Sequence, residues 1–225
     1  MKKAYGILVA LLATGCASTP IPRMEDPQAS AIGIQVETQA PVGIFSNNPD
    51  RVFFVRIDDE GGITQNQVIP SNYAIDGRIY LLNAKPGKYA AVAAFRSQAG
   101  SPFAPAAQPG FSVSVSVGRT GYTTYFSKEL IEATTVDVGR GEIAFMGSYL
   151  VRQSLGLTDA DPTQSHYAEL IAPGTSKSGL GRLLSGDYHY RGAIREAKRD
   201  EDTRTEFLRR SRDDLAEGGW GQIFK

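Results

Sequence analysis

Apolar residues recur at every second position along most of the chain, the period of a strand with one covered face. Ile32, Ile34 and Val36 alternate with smaller or polar neighbours. Phe111, Val113, Val115 and Val117 alternate with Ser112, Ser114 and Ser116, the cleanest such pattern present. Arg51 to Ile57 is denser, as suits a strand covered on both faces. Further strands are expected around Ile63 to Ile69, Tyr122 to Ser127 and Tyr167 to Ala172. Asp58-Asp59-Glu60-Gly61-Gly62 predicts a surface turn, and Gln98 to Gly110, with Pro102, Pro105 and Pro109, a surface loop. Phe103 is the apolar tip of that loop and a candidate contact residue.

Two segments predict hairpins. In the first, Arg78 to Asn83 and Lys88 to Arg96 flank Ala84-Lys85-Pro86-Gly87. Pro86 fixes φ and Gly87 accepts positive φ, the pair a type II turn needs. In the second, Thr134 to Val138 and Glu142 to Val151 flank Gly139-Arg140-Gly141. The two echo one another at an offset of 54 residues, Leu82, Gly87, Tyr89, Ala90, Val92 and Phe95 matching Val136, Gly141, Ile143, Ala144, Met146 and Tyr149. Duplication and convergence on one turn chemistry both account for the echo. With about seven to nine short strands and no intervening amphipathic helix, the expected fold is mainly β, an antiparallel β-sandwich over residues 31–172.

After Pro173 the pattern changes, and residues 173–225 predict a polar α-helical extension. Leu180, Leu183 and Leu184 have helical spacing, and Arg191 to Glu217 carries opposite charges four apart, as in Glu206 with Arg210, Arg209 with Asp213 and Arg210 with Asp214. Thr203 and Glu206 fit a capping box. The apolar stripe of Ile194, Ala197, Phe207, Leu208 and Leu215 is too thin to fold alone, so the helix must dock on the sandwich or on a partner. Phe207, Leu208, Trp220 and Phe224 are the candidate partner contacts, although for the apolar tail of Trp220, Ile223 and Phe224 clipping the helix onto its own domain is the first reading and a partner contact the second.

The N-terminus has a different pattern: Lys2 and Lys3, an uncharged apolar run from Tyr5 to Ala13, then Thr14-Gly15-Cys16. A positive start, a short apolar core and small residues mark a secretory signal over residues 1–15. The run is about half the ~20 residues that span a bilayer. Ala13-Thr14-Gly15-Cys16 resembles the lipobox of bacterial lipoproteins, with Ala13 where leucine is commoner. That resemblance implies cleavage between Gly15 and Cys16 and acylation of Cys16, hence a bilayer as partner. Ala17, in place of the aspartate that retains lipoproteins at the inner membrane, implies the outer membrane. Residues 16–30, with Pro20, Pro22 and Pro27, read as a tether reaching at most about 45 Å.

Charge and cysteine usage narrow the function. Without Lys2 and Lys3 the basic residues number 22 against 24 acids, which gives no field for nucleic acid. Cys16 is the only cysteine, so once it is acylated no thiol is left for a disulfide, a metal or nucleophilic attack. Gly139-Arg140-Gly141-Glu142-Ile143-Ala144 matches a dinucleotide loop, but a strand follows it where a helix is required. Asp159 and Asp161 open like a calcium loop, yet Gln164 and Leu170 occupy the positions of its glycine and glutamate. His166 and His189 lack metal spacing, and Ser176 lacks the second glycine of a nucleophile elbow, where Ser178 stands. No cofactor is expected.

Tyr80, Tyr89, Tyr122, Tyr125 and Tyr149 are either ordinary strand residues or a carbohydrate platform. The unit RIYLLNAKPGKYAAVAAF, followed by TTVDVGRGEIAFMG, is similar to transthyretin-like and carboxypeptidase-regulatory-like sandwiches and to lipoprotein families of unknown function, over residues 50 to 152. The sequence therefore points first to a non-catalytic outer-membrane lipoprotein that serves as an interaction module for an envelope protein. Glycan or peptidoglycan binding comes second and an envelope hydrolase last.

Overall fold

The computed structural model describes residues 20–41, 46–57, 67–99, 119–155, 162–173 and 187–224. Several expectations lie outside them: the signal with Gly15 and Cys16, the turn at 58–62, Phe103, the strand at 111–117, Asp159 and Asp161, and the stretch from Ser176 to Leu184.

The chain is mainly β. Its principal strands are β1 (Ser30–Gln39), β3 (Arg51–Ile57), β6 (Arg78–Ala84), β7 (Gly87–Ala99), β8 (Arg119–Phe126), β10 (Ile143–Leu155) and β11 (Asp187–Lys198). Four short ones are β2 (Ser46–Asn47), β4 (Ile69–Pro70), β5 (Tyr73–Ile75) and β9 (Val136–Val138). They form one curled sheet in the order β4-β3-β7-β8-β11-β10-β1-β6-β5, with β2 added to β1 and β9 to β7. The sheet is mixed, because β1 with β10 and β11 with β8 run parallel at its centre.

Both expected hairpins are crossings instead. β6 bonds to β1 and β5, whereas β7 bonds to β3, β8 and β9. The Pro86-Gly87 turn, with Gly87 at φ 145°, therefore carries the chain from one half of the curl to the other. Gly139 to Glu142 carries it back, from β9 beside β7 to β10 beside β1. Ser30 fastens this return: its hydroxyl donates to the Gly139 carbonyl at 2.6 Å and accepts from the Gly141 N–H at 3.0 Å. Turn chemistry marks where a chain reverses, but not whether the two arms share hydrogen bonds.

Alternate residues of the central strands supply two cores. Ile32, Ile34 and Val36 of β1 enter the main core between the two halves of the curl, with Phe54, Ile79, Val92, Met146 and Val151. Ala31 of β1, Tyr80 and Leu82 of β6, and Ile143 and Phe145 of β10 face the other way, into a second core.

Among the described residues three helices pack on the sheet. Helix α1 (Lys128–Ala133), capped by Ser127, joins β8 to β9. Helix α2 (Pro162–Ile171) lies against β8, burying Tyr167 and Ala168, where Tyr167 to Ala172 had predicted a strand. Helix α3 (Glu201–Asp214) completes the second core with Phe207.

The helix expected over Arg191 to Glu217 is thus corrected at its start. Its first part, within Asp187–Lys198, is β11, hydrogen-bonded on both sides between β8 and β10. The cap is Asp200, whose carboxylate accepts from the Thr203 N–H at 2.9 Å, not Thr203 itself. Glu206 does pair with Arg210 at 2.6 Å, and Arg209 approaches Asp213 at 3.9 Å. Asp214 turns inward instead of meeting Arg210.

The residues after α3 and the expected tether hold each other. Trp220, fully buried in a 3₁₀ turn (Trp220–Phe224), donates from Nε1 to the Pro22 carbonyl at 2.7 Å. The Met24 N–H donates to the Gly218 carbonyl at 2.9 Å, and the Asn83 amide donates to the Arg23 carbonyl at 2.9 Å. Residues 20–24 are therefore part of the fold. The stretch from Cys16 to Pro20 spans at most about 14 Å fully extended, against the 45 Å read from sequence.

Candidate functional site

The main core becomes polar at one end of the curl. On β1 the inward row runs Ile32, Ile34, Val36 and then Thr38, and on β7 it runs from Ala94 to Arg96 and Gln98. On β8 Phe126 gives way to Thr124 and Tyr122, and on β10 Val151 gives way to Gln153. These polar ends meet because the register sets Arg96 opposite Tyr122, Tyr122 opposite Tyr188, Thr124 opposite Tyr190 and Gln153 opposite Gly192. A cavity of about 150 Å³ opens there, rimmed on its other side by Ala40, Pro41, Asn47 and Pro49. Pockets at the mouth of a closed or curled sheet are a recurrent place for ligands.

Gly192 shapes the floor. A Cβ there would sit 2.8 Å from both the Thr124 and Val151 methyl groups, so only glycine leaves room. Over the gap Gln153 reaches from β10 and donates to the Thr124 hydroxyl at 2.7 Å.

The wall is aromatic. The Tyr122 ring stacks on Tyr188 at 5.3 Å and 13°, and on Tyr190 at 6.4 Å and 19°. Parallel pairing of β8 with β11 brings these rings side by side. Burial is the main cause holding the Tyr122 and Tyr190 phenols above their ordinary pKa, so both are neutral hydrogen-bonding groups near neutral pH. The neighbouring Arg96 acts in the opposite sense on Tyr122.

The five tyrosines proposed from sequence do not share a face. Tyr80, Tyr89, Tyr125 and Tyr149 are all buried, and each hydroxyl is engaged inside the protein. Tyr80 meets Asp214 and Ser211, and Tyr89 donates to the Lys85 carbonyl. Tyr125 lies 3.0 Å from His189 Nδ1, and Tyr149 donates to the Ala133 carbonyl at 2.6 Å. Only Tyr122 is at the mouth. Tyr188 and Tyr190, its companions there, were missed although Tyr188-His189-Tyr190 has strand alternation, because the charge spacing after Arg191 read as helix.

The expected partner contacts separate in a similar way. Phe207 is buried against Gly33, Tyr80 and Phe145, and Trp220 is buried against the N-terminal segment. Leu208 and Phe224 are half-buried beside a groove that also holds Arg204, Arg209 and Arg212. Leu155, at 68% exposure, is the exposed large apolar side chain among the described residues, and β10 places it opposite Tyr190 beside the mouth. His166 packs edge-on against Tyr167 and His189 stacks on Tyr125. Among the described residues no set of three metal-ligating side chains converges.

Compared with protein-family models, with curated proteins and with solved structures, the chain matches none.

Proposed function

We propose that this chain is a non-catalytic binding module of the bacterial envelope, anchored by acylated Cys16 at the outer membrane, which holds a sugar residue in the mouth of its sheet. The observation that carries the reading is the change of the inward face from apolar to polar and aromatic around the cavity. Flat tyrosine faces stack on the C–H surfaces of a sugar ring, and the Gln98, Gln153 and Asn47 amides and the Thr124 hydroxyl match its hydroxyl groups. At about 150 Å³ the space is well below the ~300 Å³ where drug-sized pockets begin, so it suits one ring of a glycan rather than a chain.

The lipobox supports the anchoring. With residues 20–24 pinned to the fold, an acylated Cys16 would keep the domain close to the lipid. The curl that sets β3 and β7 opposite β1 and β6 across one core supports a sandwich-like description, in keeping with the transthyretin-like resemblance. An envelope protein as main partner has less support, because Phe207 and Trp220 are committed inside the fold.

The test is co-sedimentation with peptidoglycan and binding to a glycan array, with Tyr190→Ala and Tyr122→Ala as variants. Wild-type binding that is lost in both variants without loss of fold bears the reading out. Wild-type binding unaffected by either variant rejects this mouth as the site. An intact mass lacking acyl chains on Cys16 rejects the anchor.

A further inference from the structure

We propose that the sugar taken by the mouth is an acidic one, whose carboxylate is bound by Arg96; this rests on the sugar-binding reading above. Among the described residues Arg96 is the only permanently charged group lining the cavity, and none of the lining residues is a carboxylate. Among the described residues Arg96 forms no ion pair, whereas Arg78, Arg204, Arg209 and Arg210 each meet an acid within 4.0 Å. Asp50, at the adjoining strand end, accepts through one oxygen from the Ser97 N–H at 2.6 Å and the Ser97 hydroxyl at 3.1 Å.

Register explains why the guanidinium is in the cavity. Arg96 stands opposite Tyr122 on the inward row of β7, two positions past the buried Ala94. Half-buried Arg96 lines the cavity from β7, where an anion entering the mouth can reach it.

The charge and shape favour a carboxylate over a phosphate. One guanidinium offers a planar fork of donors that matches the two oxygens of a carboxylate and its single charge. A phosphate monoester has more charge and three free oxygens than this lining, with one cation, can satisfy. Stacking on Tyr122 and Tyr190 would orient the ring, and Arg96 would select the acid.

The test is titration calorimetry on the full chain in nonionic detergent with methyl β-glucopyranoside, its uronate, its 6-phosphate and sodium acetate. The uronate is expected to bind at least about tenfold tighter than the neutral sugar, with the advantage shrinking as salt rises. Arg96→Gln, verified to be folded by circular dichroism, should bring the two sugars to equal affinity, and Arg96→Lys should keep part of the preference. Equal binding of uronate and neutral sugar by the wild type overturns the proposal while leaving the sugar site standing. So does an unchanged preference in Arg96→Gln, a preference for the 6-phosphate, or acetate binding as tightly as the uronate. Binding of neither sugar removes the underlying reading, and the proposal with it.

Discussion

Asp214 offers the sharpest check on how α3 is held to the sheet. Its carboxylate accepts from Arg78 Nε at 2.5 Å, Arg78 Nη2 at 2.8 Å and the Tyr80 hydroxyl at 2.7 Å, and both ionic side chains are 7% exposed. Asp214→Asn keeps the shape and removes the charge, leaving the Arg78 guanidinium buried without its counter-ion. Breaking one side of a buried pair costs about 3–5 kcal/mol. Asp76 lies 3.6 Å from Arg78 but is largely exposed and solvent-screened, so it offsets little, and the lower end, about 3 kcal/mol, is expected. For a chain of this length that corresponds to a fall in Tm of roughly 6–12 °C. The measurement is urea unfolding followed by circular dichroism, on Asp214→Asn, Asp214→Leu, Arg78→Met and the pair Arg78→Met with Asp214→Leu. The double variant should recover most of the loss, because it leaves no orphaned charge and Tyr80 keeps Ser211 at 2.9 Å. A single-variant loss below about 1 kcal/mol, or strictly additive losses, would refute the claim that this pair is buried and coupled.

Three further outcomes are expected. Gly33→Ala should destabilise by about 1–3 kcal/mol, because its Cβ would stand 2.5 Å from two ring carbons of Phe207; the penalty should shrink in a Phe207→Leu background, and equal penalties in both would count against the contact. Trp220→Ala should cost about 3–5 kcal/mol and speed tryptic cleavage after Arg23, since the indole holds the Pro22 carbonyl; an unaltered cleavage rate would show that residues 20–24 are secured by other contacts. The Tyr149 phenol is pushed up to about 12 by burial, so the folded state holds that proton more tightly than the unfolded chain. Its contribution, up to about 3 kcal/mol, is complete below pH 10 and lost as pH rises towards 12. Tyr149→Phe should therefore flatten stability across that interval, as read from unfolding midpoints, and an unchanged slope would contradict the burial argument.

Local chemistry made many elements legible. Alternation identified β1 and β7, because a strand places side chains on one face at every second residue, and a dense apolar run identified β3. The turns at Pro86-Gly87 and Gly139 to Gly141 were legible because glycine accepts positive φ, as at 145° and 67° in Gly87 and Gly141, but 145° at the start of β7 is not the ~80° of the expected type II turn. The charge pairs of α3 were legible in part, since Glu206 and Arg210 are neighbours on any helix that contains both.

Pairing between distant segments was beyond local chemistry. Whether β6 bonds to β7 or to β1 depends on which partner completes both cores, and that is a property of the whole sheet. The same cause converted residues 187–198 from expected helix to β11: strand neighbours on both sides satisfy their backbone groups, and that outweighs a weak helical charge pattern. Asp214 changed role for a related reason, meeting Arg78 more than a hundred residues earlier in the chain, whereas Trp220 packs in one core with Phe207, as a clip for the helix should, and its partner Pro22 lies beyond local reach.

By itself, then, the sequence determined that the chain is mainly β and where it turns, because strand period and glycine turns are encoded within a few residues. Only the tertiary structure decided which strands are neighbours, which tyrosines are buried and which meet at the mouth. Those depend on register between β7, β8, β11 and β10, where a one-residue slip would turn Arg96, Tyr122, Tyr190 and Gln153 to the opposite face.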